Sequence, residues 1–373
     1  MENIIILKKI LKRQFYKDLI ISLWKRYIFL QIFLNYLINP SKKLPRVFYA
    51  GARQGYEGGP MVKIKKLNLF FPEYKLNFNI IYLLSNSIFL NNSAINLIKK
   101  KSLPTILNQN GVFYPAWFKG DWKKENLKMS KIYHSADYVI WQSSFCKKAS
   151  EKFLGERLGK GEILYNAVDT SFYVPKSDPK NSCFTFLVTG NIRKKNNYRI
   201  ICLLDAFKET LRENNNIFLK IAGYIEDEEY LFSKIKELNL SEHIYFLKKF
   251  TQKDAPKIYQ NADAYITMTY QDNCPTAVIE AMSCGLPILY SKSGGIPELV
   301  DKNSGVGLEV SENWQTTKVP GKFEISDGMK KIIENKITMS EASRTRAIEF
   351  FDIKKWILRH NIIFEELLEN FKK

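Results

Sequence analysis

Two carboxylates eight residues apart, Asp272 and Glu280, open the stretch DNCPTAVIEAMSCGLPILYSKSGGIPELV, residues 272–300. With 38 acidic residues in 373, that spacing decides nothing alone, and the residues around it carry the signal. Residues 264–269, AYITMT, are β-branched and aromatic enough to predict a strand. Pro275 sits where a first helical residue is tolerated, since its missing N–H would be unpaired there anyway. Val278, Ala281 and Met282 recur at helical spacing, and Cys284-Gly285 closes the helix. Residues 286–291 predict a second strand. The unit is strand–helix–strand, with loops at the carboxyl ends of its strands, where open α/β sheets bind ligands. Backbone N–H groups at Asn273, Cys274 and Thr276, around the helix start that Pro275 opens, suit a diphosphate. Glu280, in the second helical turn, is placed to accept two adjacent ribose hydroxyls, and Asp272 lies in the loop that faces the sugar. The loop Ser293-Gly294-Gly295 has side chains too small to serve packing and joins the donor-facing set. Together these suit a nucleotide-sugar.

A second cluster follows a predicted strand at 184–189. Gly190 leads into NIRKKNN, residues 191–197, and a helix at 198–211. Cations between a strand end and a helix start are where a diphosphate's charge is met. Arg193 is the candidate bidentate donor and Lys195 the candidate point charge. A one-residue shift would substitute Lys194, and a solvated basic loop is the bland alternative. Nearer the amino terminus, a short strand at 46–50 feeds the glycine-rich loop GARQGYEGGP, residues 51–60, and a helix at 61–71. The spacing is not G-x-G-x-x-G, so no dinucleotide fingerprint is present. Gly58 and Gly59 close that loop, and a further loop, NQNGVFYP at residues 108–115, carries Asn110.

The 272–300 string resembles the donor-binding signature of the retaining glycosyltransferases of family 4: E-x7-E, an A-M/L-x-C/A-G-L-P run, and a G-G-x-x-E loop. Glu280, Ala281–Pro287 and Gly294-Gly295-Ile296-Pro297-Glu298 match it, while Asp272 replaces the first Glu with a carboxylate one methylene shorter. ADYVIWQSS at 136–144 and NAVD at 166–169 resemble further family patterns. The resemblance implies an α/β protein of GT-B architecture, two Rossmann-like domains facing a cleft. The expected division is a basic extension at 1–44, an acceptor domain at 45–176, a donor domain at 177–351, and a last helix at 352–373 packing back on the first domain. It implies retaining transfer of a sugar from a UDP- or GDP-sugar to an acceptor hydroxyl, without a metal or other cofactor. Asp272 would bind the sugar, Glu280 the ribose, and Arg193 and Lys195 the departing diphosphate, with Gly58, Gly59 and Asn110 on the cleft wall of the first domain. Asn191 stands where the family has Arg, and Asn110 where it often has Asp or His. These departures leave open the alternative of a nucleotide-sugar-binding relative without turnover.

Two domains of ordinary size fit 373 residues, and 45% hydrophobic residues suffice for packed cores, which excludes a disordered chain. The five cysteines include no C-x-x-C pair, and the three histidines are scattered, so neither a disulfide framework nor a metal site is expected. Buried thiols suit a reducing cytosol. A net charge of +19 could serve nucleic acid, an anionic membrane or phosphorylated substrates. No nucleic-acid motif accompanies it. Residues 1–44 interleave apolar runs with Lys8, Lys9, Lys12, Arg13, Lys17, Lys25 and Arg26, and Lys25-Arg26 cut any run approaching the about 20 residues of a bilayer span. The pattern predicts basic amphipathic helices lying on an anionic membrane surface; a helical extension packed on the first domain is the alternative. A cytoplasmic protein, peripheral on the inner membrane face and acting on a lipid-linked or surface-polysaccharide glycan, is the combined expectation.

Overall fold

Parallel strands separated by helices need both sheet faces covered, and near-continuous apolar strands such as IIYLL at 80–84 announce this. The computed structural model describes residues 2–38, 44–55, 59–86, 89–177 and 183–371, with side chains of 2–14 and 17 left aside. A 35-residue helix, α1 (Glu2–Tyr36), precedes the first sheet. That sheet holds β1 (Val47–Phe48), β2 (Ile80–Leu84), β3 (Thr105–Gln109), β4 (Tyr138–Trp141) and β5 (Lys160–Ile163) in sequential order, all parallel. Its crossovers carry α2 (Gly59–Phe70), α3 (Asn92–Lys100), α4 (Trp122–Ser135) and α5 (Ser144–Leu154).

The second sheet holds β6 (Phe184–Ile192), β7 (Ile217–Ile225), β8 (Ile244–Leu247), β9 (Ala264–Thr267), β10 (Ile288–Lys292) and β11 (Gly305–Glu309). Their spatial order is β11-β10-β9-β6-β7-β8, again parallel. This is the doubly wound order, whose reversal between β6 and β9 opens a crevice beyond the strand ends. The helices here are α6 (Tyr198–Leu211), α7 (Glu228–Glu237), α8 (Ala255–Gln260), α9 (Thr276–Ser283), α10 (Ile296–Leu299), α11 (Lys322–Glu334) and α12 (Lys336–Phe351). The last, α13 (Ile353–Asn370), returns to the first sheet, where Trp356, Ile363, Phe364 and Leu367 pack with Val47, Tyr49, Ile80 and Tyr82.

Lys25 and Arg26, which cut the apolar run within residues 1–44, ride on one unbroken α1, because charged side chains interrupt an apolar run without interrupting a helix. Its later half is tied to the first domain. Ile28 and Ile32 enter the core beside Phe48 and Phe78, and Asn35 pairs with both backbone groups of Phe78 at 3.0 Å. Strand β6 runs past the predicted end at 189, pairing with β7 in a two-strand ribbon that reaches Ile192 and Ile225.

Candidate active site

The crevice at the β6–β9 reversal is a cleft with two cavities. The smaller, about 250 Å³, lies between α2, α9 and the crossover to the second domain; Lys63, Lys66, Asn166, Tyr173, Phe250, Thr276 and Glu280 line it. The larger, about 700 Å³, is lined by Asn110, Phe113, Trp117, Phe118, Lys195, Arg199, Asp272 and Asn273.

Glu280 projects from the second turn of α9 into the smaller cavity. Tyr173 donates to its Oε1 at 3.1 Å and Tyr259 to its Oε2 at 2.9 Å. Burial raises its pKa, opposed by the Lys66 ammonium and these hydroxyls. A carboxylate has about four acceptor sites, so two remain. Asp272 faces the larger cavity from the loop after β9, accepting the Cys274 N–H at 3.1 Å. Burial raises its pKa as well, opposed by that N–H and by the Arg199 charge.

Arg199 is the cation that sequence reasoning missed. It lies in the first turn of α6, and three bonds aim its guanidinium: Nη2 to the Asn191 carbonyl (2.9 Å), Nη1 to Thr269 Oγ1 (3.3 Å) and Nε to the Asn196 carbonyl (3.3 Å). Lys195 lines the same cavity. Arg193 does not: it lies in a separate crevice with Asp227 and Tyr230, where Lys194 pairs with Asp227 at 3.1 Å. The short 3₁₀ turn Lys194–Asn196 sends Arg193 and Lys195 to different sides. Only the spacing of Arg199, one turn beyond the basic loop, could have flagged it.

Gly190 has φ +130, and a Cβ there would meet open space. At its neighbour Gly223, φ +133, a Cβ would lie 2.2 Å from the Gly190 carbonyl oxygen. Gly294 and Gly295, expected to face the ligand, lie against the back of the Asp272 loop. A Cβ on Gly294 (φ +68) would fall 2.3 Å from the Asp272 carbonyl oxygen, and one on Gly295 2.0 Å from that of Asn273. Gly295 N–H also donates to the Asp272 carbonyl at 2.7 Å. The small side chains therefore serve packing, contrary to the sequence reading: backbone approaches backbone too closely for a Cβ. Gln271, next to Asp272, holds φ 55, and its buried amide has no protein partner among the described residues. Backbone strain and an orphaned amide thus sit at the mouth of the site.

Cys274 is buried, takes the Asn166 N–H at 3.3 Å, and has its thiol pushed up to about 12 by burial. Pro275 is the N-cap residue of α9 and Thr276 its first helical residue. Asn273 crosses the cleft, its Nδ2 donating to the Asn110 carbonyl at 3.0 Å. The Asn110 side chain is occupied: its Oδ1 accepts from Lys63 (3.2 Å) and from Gln142, and its Nδ2 reaches Asn86 (3.2 Å). Gly59 opens α2 on the smaller cavity, while Gly58 lies outside the described residues. Among the described residues, no group of three His, Cys, Asp or Glu is placed to hold a metal ion.

Residues 170–348 match the family model of glycosyl transferases group 1. The matched stretch is similar to a glycosyl transferase group 1 domain. It includes Arg199, Asp272, Glu280 and the glycine pair. A relative, an uncharacterized glycosyltransferase of Methanocaldococcus jannaschii, is 25% identical over 167 residues, spanning 42% of this chain and 40% of that protein. Among solved structures, Anabaena HepE in complex with UDP superposes with a TM-score of 0.64 at 17% identity, covering 83% of this chain and 82% of that one. A Rickettsia africae glycosyltransferase gives 0.61 at 15% identity, covering 85% and 84%. At such identities the likeness is one of fold, the GT-B arrangement of two parallel-sheet domains. The matched stretch supplies Arg199, Asp272 and Glu280 to the cleft; Asn110, Lys63, Phe113 and Trp117 come from residues ahead of it.

Proposed function

We propose that this protein is a retaining glycosyltransferase that moves a sugar from a UDP- or GDP-sugar to an acceptor hydroxyl. The observation that carries the reading is the succession of three groups along one cleft: Glu280 and, one turn earlier, the start of α9 at Thr276 in the smaller cavity, then Asp272 with Arg199 in the larger. A nucleoside, a diphosphate and a sugar succeed each other in that order. Glu280, held by Tyr173 and Tyr259, accepts the ribose hydroxyls, with the segment at Phe250 beside the base. The amides at the start of α9 receive the diphosphate. Asp272 accepts hydroxyls of the transferred sugar.

In the reaction, the bond from the anomeric carbon to the diphosphate oxygen breaks as the acceptor oxygen attacks that carbon. The acceptor proton passes to the departing diphosphate, so the products are the glycoside and the nucleoside diphosphate. Arg199, with Lys195, meets the charge that develops on the leaving group, and a fixed cation aimed there is the largest contribution such a site offers. The basic groups fill this role without a metal. Phe113 and Trp117, stacked at 5.1 Å on the wall of the larger cavity, offer apolar faces to the rings of a glycan acceptor. The UDP and UDP-glucose bound by Anabaena HepE favour UDP as carrier.

A thermal-shift series with UDP- and GDP-sugars on wild type and Glu280→Ala tests the reading. Ligand at 100 times its Kd stabilises by about 2.7 kcal/mol, a shift of a few degrees. One nucleotide class should raise the Tm of wild type and not of Glu280→Ala. A folded wild type that no nucleotide-sugar stabilises would sink the proposal.

A further inference from the structure

Helix α1 has two apolar faces, and the fold covers one. Ile28, Ile32 and Asn35 are buried on the first domain, and Trp24 reaches it through its indole N–H. On a neighbouring face, Tyr16, Ile20, Leu23, Tyr27, Leu30 and Leu34, continued by Leu37, alternate at spacings of four and three. Every one is 40% or more exposed. Phe15, Leu19 and Phe33 widen the stripe. From residue 15 to 37 it runs roughly 34 Å at 1.5 Å per residue. A monomeric protein rarely leaves so long a contiguous apolar surface in water.

Charge selects the occupant. Within residues 1–38 there are seven Lys or Arg against two acidic residues, Glu2 and Asp18. Lys100 and Lys101 add cation–π contacts to Tyr36 at the carboxyl end of α1, 5.8 and 5.4 Å from its ring. A second copy of α1 would set like charges against each other along the seam, where paired helices need opposite ones. An anionic lipid surface takes the apolar stripe among its acyl chains and the flanking cations at its headgroups. No helix of the described residues is long and apolar enough to cross a membrane.

The place of attachment matters. The Trp24 indole donates to the Gly51 carbonyl at 3.1 Å, and a Cβ on Gly51 (φ +82) would lie 2.6 Å from that nitrogen. Gly51 begins the segment leading to α2 on the smaller cavity. The Trp24 ring also meets Phe89 edge-on at 6.5 Å, just beyond Ser85 and Asn86 on the wall of the larger cavity. We propose that α1 lies in the plane of an anionic membrane on its Tyr16–Leu37 stripe, holding the larger cavity beside the bilayer to receive an acceptor carried there.

The test is flotation of the full chain with vesicles of phosphatidylcholine alone and with added phosphatidylglycerol. It is run on wild type, on Ile20→Asn/Leu23→Asn/Leu30→Asn and on Lys25→Glu/Arg26→Glu, with folding checked by circular dichroism and Tm. Wild type should float with the anionic vesicles and only weakly with the neutral ones, and each variant should lose roughly tenfold or more in partitioning. Wild type that stays in solution, or folded triple-variant protein that floats as wild type does, overturns the proposal. So does light scattering that finds a dimer which the triple variant dissolves, since the stripe would then be a helix-pairing seam. None of these outcomes depends on donor binding.

Discussion

The Glu298 carboxylate caps a helix in the other domain: its Oε2 accepts the Ser144 N–H at 2.7 Å and its Oε1 the Phe145 N–H at 2.9 Å, with Tyr165 adding a hydroxyl at 3.1 Å. Glu298 belongs to α10, next to the loop behind Asp272, while Ser144 begins α5 on the first domain. A carboxylate at a helix start meets free N–H groups and the positive dipole end together. This contact ties the Asp272 loop to the first domain across the cleft. Glu298→Ala should therefore cost about 1–2 kcal/mol. Small-angle scattering should show a wider spread of domain separations. Unchanged stability and an unchanged scattering profile would mean that the cleft is held by its other contacts alone.

Arg199 and Arg193 make a paired prediction. Arg199→Gln removes a fixed cation from the larger cavity and should lower kcat/KM by on the order of 10²-fold, mostly in kcat. Arg193→Gln alters a crevice on the other side of the 3₁₀ turn and should stay within about twofold of wild type. Steady-state kinetics on the two variants separates them. Equal losses would return Arg193 to the cleft.

The difference between those arginines shows what the sequence can carry. The unit from β9 to β10 was legible because its signals are local: a strand pattern, Pro275, helical spacing, and Cys284-Gly285 at the close. The choice of Arg199 over Arg193 depends on which way a three-residue turn rotates two side chains, and composition does not encode that. The tyrosines on Glu280 come from positions 173 and 259, distant in sequence and unmarked by any motif. The glycine pair was visible as a pair, but whether it serves a ligand or a backbone contact depends on the neighbouring loop. Lys25 and Arg26 could be read as interrupting a bilayer span, whereas the continuity of α1 beneath them follows from helical propensity and its docking through Asn35.

The glycine geometry gives the next prediction. Gly295→Ala places a methyl group 2.0 Å from the Asn273 carbonyl oxygen, and neither that oxygen nor the Cβ can swing aside without its backbone, so one loop must move. The loss should be about 2 kcal/mol in urea denaturation, accompanied by weaker donor binding because Asp272 and Asn273 shift together. Gly190→Ala meets no atom within 4 Å, so its cost comes from the φ of +130 and not from a clash. If Gly295→Ala unfolds at the wild-type urea midpoint, the close approach of the two loops is wrong.

Lys63 supplies a pH test. Its ammonium is buried under the cleft, donating to Asn108 at 2.8 Å and Asn110 at 3.2 Å, and among the described residues it forms no ion pair. Burial lowers its pKa from 10.5 to about 7. Between those values the unfolded chain holds the proton and the folded one releases it, so stability rises with pH across about 7 to 10.5. Below about 7 both states are charged and the burial penalty is fully present. His360, buried against Tyr82 and lowered to about 3, acts in a separate window, from about 3 to 6.5. Lys63→Met keeps the chain length and removes the charge. It should raise the Tm at pH 6.5 by several degrees, and the gain should shrink steadily as the pH approaches 10. Tm against pH for both proteins is the measurement. A pH-independent difference would show that the substitution acts through packing, and that the Lys63 amine is not the group titrating in this range.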